Sequence, residues 1–126
     1  MRTILLVEDC EYTAVPLEIA LTCLDGTRVL RVSNAYEACE ILFRGPDGIA
    51  AVITDLHLPQ MDGFQFIERV RHAYRSAHLP ILVITGDDRP DTPDRLFRLG
   101  ADAYFLKPFS LVAVRQKLQS LLGTCP

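Results

Sequence analysis

Short apolar segments alternate along the chain with longer segments in which apolar residues recur every three or four positions. Unbroken apolar runs at residues 3–7, 50–54 and 80–85 lack the alternation of a half-exposed strand, which predicts strands covered on both faces. Residues 27–32 alternate more clearly and predict a strand nearer the edge of the sheet, and residues 103–106 form the fifth predicted strand.

Five predicted helices lie between and after these strands. Apolar positions at Val15, Ile19, Leu21 and Leu24 indicate the first helix. We expect Pro16 to delay or distort the start of this helix, because proline fits an α-helix only in its first turn. The second helix is predicted over residues 35–43, with Asn34 as its N-cap residue.

Capping residues and apolar spacing place the remaining helix boundaries. Gly45 and Pro46 are expected to end the second helix. In the fourth helix, Thr92 is the predicted N-cap, Pro93 the first helical residue and Gly100 the C′ residue. The third helix has apolar positions Phe64, Ile67, Val70 and Tyr74; the fifth begins after Ser110, carries Leu111, Val114, Leu118, Leu121 and Leu122, and ends at Gly123.

Five repeats of strand then helix predict one α/β domain, a doubly wound (βα)5 fold with a parallel sheet and helices on both faces. We assign residues 1–123 to this domain and residues 124–126 to a C-terminal tail. In such sheets, binding sites form beyond the carboxyl ends of the strands. This rule directs attention to the residues that end each predicted strand.

Composition and charge exclude several classes of protein. The 126 residues carry a net charge of −3, which argues against a stand-alone nucleic-acid binder; Arg69, Arg71 and Arg75 are better explained as a solvated helix face. No apolar run approaches the ~20 residues needed to span a bilayer, and no signal peptide is recognisable, so we expect a cytoplasmic protein without membrane contact. The four cysteines form no C-x-x-C pair, which favours thiols in a reducing compartment.

Chemically compatible residues follow four of the predicted strands. Glu8 and Asp9 follow the first strand, Asp55 the third and Lys107 the fifth, while Thr85 ends the fourth. Carboxylates brought together on one sheet edge repel each other unless a cation intervenes, and oxygen ligands suit Mg²⁺. A single aspartate at a strand end is usually a turn residue, but the combined set predicts a phosphoryl-transfer pocket with Asp55 as nucleophile.

Four segments carry a family resemblance. They are residues 5–9, the block D-L-H-L-P-Q-M-D-G that begins at Asp55, residues 83–86, and the block G-A-D-A-Y-F-L-K-P-F that begins at Gly100. In order and spacing they closely resemble the receiver domain of two-component response regulators, the CheY-like superfamily. The resemblance covers essentially the whole chain, and it implies the flavodoxin-like strand order 2-1-3-4-5.

The resemblance implies a role for each matching residue of the pocket. Asp55 would accept a phosphoryl group from a histidine kinase or a histidine phosphotransfer protein, and Lys107 would contact the phosphoryl oxygens. Asp9 and Asp55 would bind Mg²⁺ directly, together with the backbone carbonyl of His57. Glu8 would act mainly through a metal-bound water.

The resemblance also implies a conformational switch. Thr85 would turn toward the phosphoryl group, and the ring of Tyr104 would move inward as Thr85 shifts, repacking the surface around the fourth helix, fifth strand and fifth helix. Pro108 would follow a cis peptide bond that aims Lys107, and Gly63 would permit a close turn after the third strand. The resemblance implies contact with an unknown output protein or, as an alternative, a homodimer through the surface around the fourth helix.

Two residues at the expected pocket mouth depart from the commonest family choices. His57 lies two residues after Asp55, and Asp87 lies two after Thr85. We hypothesise that they tune the rate of autodephosphorylation; the alternative is that both side chains simply face solvent. Gly86 and the acidic residues 87–91 predict a long loop and a short or displaced fourth helix.

Two alternatives to a complete stand-alone regulator remain open. The chain could be a receiver from a longer regulator or hybrid kinase. It could instead be a Mg²⁺-dependent phosphatase that acts on external substrates through an aspartyl phosphate, although such enzymes generally carry a D-x-D pair after the first strand. We expect no enzymatic activity other than self-phosphorylation and autodephosphorylation.

Overall fold

The computed structural model describes residues 2–44, 48–73 and 79–123, and strands and helices alternate through these ranges. The strands are β1 (Arg2–Val7), β2 (Thr27–Val32), β3 (Ile49–Thr54), β4 (Ile81–Thr85) and β5 (Ala103–Leu106). The helices are α1 (Glu11–Thr22), α2 (Ala35–Arg44), α3 (Gly63–Ala73), α4 (Thr92–Leu99) and α5 (Leu111–Leu122). The predictions for Gly45, Pro46, Tyr74, Arg75 and the tail 124–126 lie outside the described residues.

The described strands form one parallel sheet in the order β2-β1-β3-β4-β5. This arrangement confirms the predicted doubly wound fold and its strand order. The unbroken apolar runs are explained by the two cores of the molecule, because successive residues of a strand point to opposite faces. In β1, Leu5 packs in the core beneath α2 and α3, whereas Ile4 and Leu6 pack in the core beneath α1 and α5.

Strand β2 lies at one edge of the sheet and pairs with β1 alone among the described strands. Its residues alternate between partly buried and exposed positions until the buried Val32. The weaker hydrophobic pattern of residues 27–32 therefore reflects an edge strand, as predicted. In the part of the chain that the structure describes, no helix is long and apolar enough to cross a membrane.

Helix α1 differs from its prediction in both its start and its buried face. It begins at Glu11 and continues through Pro16. Pro16 removes only the hydrogen bond to the carbonyl of Tyr12, and both residues lie on the exposed side of the helix, where water can replace that bond. The buried residues are Ala14, Leu17 and Leu21, whereas Val15 is 43% and Ile19 62% exposed.

Hydrogen bonds at the helix ends confirm two of the three predicted N-caps. The Asn34 side chain accepts a hydrogen bond from the Glu37 N–H at 2.9 Å, and Ser110 accepts one from the Ala113 N–H at 3.1 Å. The N-cap prediction for Thr92 is wrong, because Thr92 is already the first residue of α4 and Asp91 is the N-cap. The Thr92 hydroxyl instead donates to the carboxylate of Asp87.

Helix α4 is short, as the acidic loop before it predicts. It contains 8 residues and ends at Gly100, whose φ of 109° lies in the left-handed region that favours glycine. The side chain of Arg71 in α3 donates two hydrogen bonds to the Gly100 carbonyl, at 3.0 and 2.8 Å, and one to Asp102 at 2.9 Å. Arg71 therefore ties α3 to the turn between α4 and β5.

Candidate functional site at the carboxyl edge of the sheet

The strand order brings the predicted site residues to one edge of the sheet. Val7 of β1 pairs with Thr54 of β3, so Glu8 and Asp55 follow two neighbouring strands at the same level. The Lys107 N–H donates to the Thr85 carbonyl at 2.7 Å, which aligns the ends of β4 and β5. The Lys107–Pro108 peptide bond is cis, as the resemblance implied.

Lys107 bridges two buried carboxylates. Its Nζ lies 2.7 Å from Asp55 Oδ2 and 2.8 Å from Glu8 Oε1. Asp55 is 5% exposed and Glu8 is fully buried. The second oxygen of Asp55, Oδ1, accepts hydrogen bonds from the N–H groups of Leu56 at 2.6 Å and His57 at 3.3 Å. The Asp55 carboxylate is thus held in one orientation at the end of β3.

The charges of this cluster are not fully compensated. Burial and the nearby Asp55 raise the pKa of Glu8 from its ordinary 4.5 to about 7, although Lys107 opposes this shift. Burial alone would lower the pKa of Lys107, but hydrogen bonds to Asp55 and Glu8 raise it overall. Glu8 Oε2 is buried and has no hydrogen-bond partner among the residues that the structure describes. An orphaned buried carboxylate oxygen is costly and favours a bound cation or water.

The carboxylates alone do not form a ready-made metal cage. Within residues 2–44, 48–73 and 79–123, no group of three or more His, Cys, Asp or Glu side chains is arranged to hold a metal ion. Asp9 is exposed, one residue after the buried Glu8. The donor set fits Mg²⁺ in its chemistry, because this ion prefers a few carboxylate or carbonyl oxygens and keeps several waters.

Gly63 packs closely against the backbone of Asp55 and Leu56. It is the first residue of α3, and its N–H donates to the Leu56 carbonyl at 2.8 Å, closing the loop after β3. A Cβ atom at this position would collide with the Asp55 carbonyl oxygen and would lie 2.7 Å from the Leu56 Cα. The close approach that the resemblance implied for Gly63 therefore involves the backbone of Asp55 itself.

A second cluster centres on Asp87, in the loop between β4 and α4. Its carboxylate accepts hydrogen bonds from the Arg89 guanidinium, the shortest at 2.6 Å, and from the Thr92 hydroxyl at 3.2 Å. The His57 Nε2 atom lies 3.3 Å from Asp87 Oδ2. Arg89 holds the pKa of Asp87 well below its usual range, which outweighs the opposing effect of burial. Asp87 is thus a buried and paired carboxylate, whereas the His57 side chain is 66% exposed, so the solvent-facing alternative is wrong for Asp87 and right for His57.

The two predicted switch residues meet at the backbone of Asp87. The buried Thr85 hydroxyl accepts a hydrogen bond from the Asp87 N–H at 3.1 Å, and the Tyr104 hydroxyl donates to the Asp87 carbonyl at 3.0 Å. Tyr104 is half-buried, and its pKa is raised by burial and by the charges of Asp87 and Asp88.

The sequence predictions identified Thr85, Tyr104, His57 and Asp87 but missed Arg89. The available signal was the D-x-R spacing of Asp87 and Arg89, which allows a side-chain ion pair within one loop. Such spacing is common on protein surfaces, so it acquires meaning only when the carboxylate is found to be buried.

Comparisons with known proteins agree with this geometry. The family model described as the response regulator receiver domain matches residues 4–119. A chemotaxis protein CheY homolog of Campylobacter jejuni is 27% identical over 121 residues, covering 96% of this chain and 92% of that protein. A proposed response regulator from Chloroflexus aurantiacus superposes with a TM-score of 0.86 at 30% identity, covering 97% of this chain and 98% of that one.

One further solved structure bears on the acidic cluster. The receiver domain of a sensor histidine kinase from Pseudomonas aeruginosa superposes with a TM-score of 0.83 at 27% identity. The match covers 97% of this chain and 98% of that one. That structure is described with a magnesium ion coordinated in its active-site cleft.

Proposed function

The chain belongs to the response regulator receiver domain family of two-component signalling, and from this premise we propose that it accepts a phosphoryl group on Asp55. The observation that carries the proposal is the buried Asp55 carboxylate, 2.7 Å from the Lys107 ammonium. One Asp55 oxygen forms a bond to phosphorus while the bond from phosphorus to the donor leaving group breaks. Lys107 balances the negative charge that the phosphoryl group adds beside Glu8.

The same residues would hold Mg²⁺. Asp9 and Asp55 would provide carboxylate oxygens, the His57 backbone carbonyl a third ligand, and Glu8 would act through a bound water. The buried Glu8 Oε2 atom supports this assignment, because a hydrated cation would supply the hydrogen-bond partner that this atom lacks within the described ranges of the chain. When bound, Mg²⁺ supplies positive charge that offsets the carboxylate and phosphoryl oxygens.

The proposed phosphodonor is a histidine kinase or a histidine phosphotransfer protein. A groove of about 460 Å³ opens beside Lys107, with Tyr12 and Phe109 among its lining residues, and we propose this groove as the docking surface for the donor. The output would be a protein contact, with an unidentified partner or a second copy of the chain, and not a direct contact with nucleic acid. Thr85 and Tyr104 would carry the change to that surface.

His57 and Asp87 would tune how long the phosphoryl group survives. Their side chains join the loops after β3 and β4 across the pocket mouth, at 3.3 Å. In this proposal, the two side chains would limit the approach of water to Asp55. Replacing His57 by alanine is expected to change the rate of autodephosphorylation, and an unchanged rate would contradict the tuning role.

Labelling with acetyl phosphate and Mg²⁺ tests the proposed function. We expect one phosphoryl group per chain by intact-protein mass spectrometry, lost in Asp55→Asn and retained in the matched control Asp94→Asn, which alters an exposed residue of α4. We propose a stoichiometric acceptor and not an enzyme for external substrates. Multiple turnover of unrelated phosphate esters would instead support a phosphatase, and labelling that survives Asp55→Asn would refute the assigned acceptor.

A further inference from the structure

The main chain of Asp87 physically connects the two residues of the proposed switch. Its N–H is bound to the Thr85 hydroxyl at 3.1 Å, and its carbonyl is bound to the Tyr104 hydroxyl at 3.0 Å. Any shift of Asp87 therefore changes both hydrogen bonds together. Asp87 is thus a backbone partner that Thr85 and Tyr104 share.

The side chain of Asp87 determines where that main chain lies. The Asp87 side chain is only 3% exposed, and its two oxygens are surrounded by donors. Arg89 provides most of them: Nε lies 3.0 and 3.1 Å from the two oxygens, Nη2 lies 2.6 Å from Oδ2, and the Arg89 N–H lies 3.1 Å from Oδ1. A guanidinium that contacts both oxygens of a carboxylate fixes its orientation as well as its position.

The other two contacts of this carboxylate are weaker anchors. Thr92 donates from the first residue of α4 at 3.2 Å. The His57 nitrogen lies 3.3 Å away, on a side chain that is 66% exposed. Neither group can hold the carboxylate as a two-point contact does. Arg89 is thus the principal support of the buried Asp87, although Arg89 itself is 58% exposed.

We propose that Arg89 is a positioning residue for the switch, which holds Asp87 between Thr85 and Tyr104 and favours the conformation in which Tyr104 is bound to the loop. The inference rests on the proposed switch role of Tyr104. It adds a residue outside the phosphoryl pocket whose loss would free the loop before any phosphorylation occurs. His57 in the loop after β3 lies 3.3 Å from the same carboxylate.

Fluorine NMR of the unphosphorylated chain labelled with 3-fluorotyrosine tests the proposal, with Tyr104→Phe assigning the resonance. In Arg89→Met we expect the population of the loop-bound Tyr104 to fall about two- to fivefold relative to its free form, the range of a partly exposed ion pair. The matched control is Arg98→Met, which removes the same charge from an exposed position of α4; its Tyr104 resonance should not move. Arg89→Lys keeps the charge, so it should retain more of the loop-bound Tyr104 population than Arg89→Met does.

The route through Asp87 is tested by a double-mutant comparison. In an Asp87→Asn background, Arg89→Met should have no further effect on the Tyr104 resonance. Equal Tyr104 spectra for wild type, Arg89→Met and Arg98→Met would overturn the proposal, as would an undiminished Arg89 effect when Asp87 is already replaced. Because no phosphodonor is present, these outcomes are distinct from a failure of Asp55 to accept a phosphoryl group.

Discussion

Replacing Glu8 by glutamine removes a negative charge from the buried cluster, while it keeps the size of the side chain and an oxygen that can accept from Lys107. In the wild type, burial and Asp55 raise the pKa of Glu8 from 4.5 to about 7 in the folded chain. The folded state therefore binds this proton more tightly than the unfolded state. The contribution of Glu8 to stability is fully present below about pH 4.5 and is lost as the pH rises through about 7.

The size of the effect follows from these two pKa values. Between pH 5 and pH 8, proton linkage at Glu8 lowers the free energy of unfolding of the wild type by about 2 to 3 kcal/mol. Glu8→Gln lacks this titration and should not lose this stability. The difference in free energy of unfolding, variant minus wild type, should therefore rise by about 2 to 3 kcal/mol between pH 5 and pH 8. Glutamine remains uncharged throughout, and the rest of the cluster is common to both proteins.

Urea unfolding at pH 5 and pH 8, in buffer with EDTA, measures the difference. The control variant Glu40→Gln removes a carboxylate from an exposed position on α2, and it should follow the pH dependence of the wild type. A raised pKa of Glu8 would be refuted if the free energy of unfolding of Glu8→Gln fell between pH 5 and pH 8 as much as that of the wild type, or fell more. Either result would mean that burial does not raise the pKa of Glu8.

Three other outcomes follow from the described contacts. Gly63→Ala should lower the free energy of unfolding by about 1 to 3 kcal/mol, because the new Cβ collides with the Asp55 carbonyl; urea unfolding checks this against Gly86→Ala, which has open space around it. Arg71→Met should lower the free energy of unfolding by about 1 to 2 kcal/mol, because it removes the hydrogen bonds to the turn after α4. In the same urea assay, replacement of the exposed Arg69 by methionine should lower it by less than about 0.5 kcal/mol. An equal loss in the two variants would contradict the role of Arg71. Mg²⁺ at ten times its Kd should stabilise the wild type by about 1.4 kcal/mol in thermal unfolding, reversibly with EDTA; an unchanged Tm at saturating Mg²⁺ would argue against the magnesium site.

The central strands were predictable because both sheet faces are covered, so that each of them shows as an unbroken apolar run. Their order in the sheet was implied by the family resemblance and not by this pattern. The buried face of α1 was not predictable in the same way. Ala14 is small and Val15 is apolar, and only the packing against the sheet decides that Ala14 is buried and Val15 exposed. A pattern based on hydrophobicity alone selects the larger residue.

Some residues of the site were predictable from the sequence and others were not. Glu8, Asp55 and Lys107 were predictable from their place at strand ends, because parallel strands bring those ends to one edge. The link between His57 and Asp87 and the support from Arg89 depend on the path of two loops. Local spacing does not specify that path. The N-cap prediction for Thr92 is wrong for the same reason, because the Thr92 hydroxyl donates to the Asp87 carboxylate of the preceding loop.

The loop after β3 is closed at its base by the hydrogen bond between the Gly63 N–H and the Leu56 carbonyl. Leu58 and Met61 are buried within it, while Pro59 and Gln60 are exposed at its tip, where Gln60 has a φ of 71°. The Met61 N–H donates to the Pro59 carbonyl at 2.8 Å, so Gln60 is the centre of a tight turn that residues inserted between Pro59 and Gln60 would break. The loop tip can therefore vary in its side chains but not in its length, and a recognition surface built there would be confined to the two exposed positions.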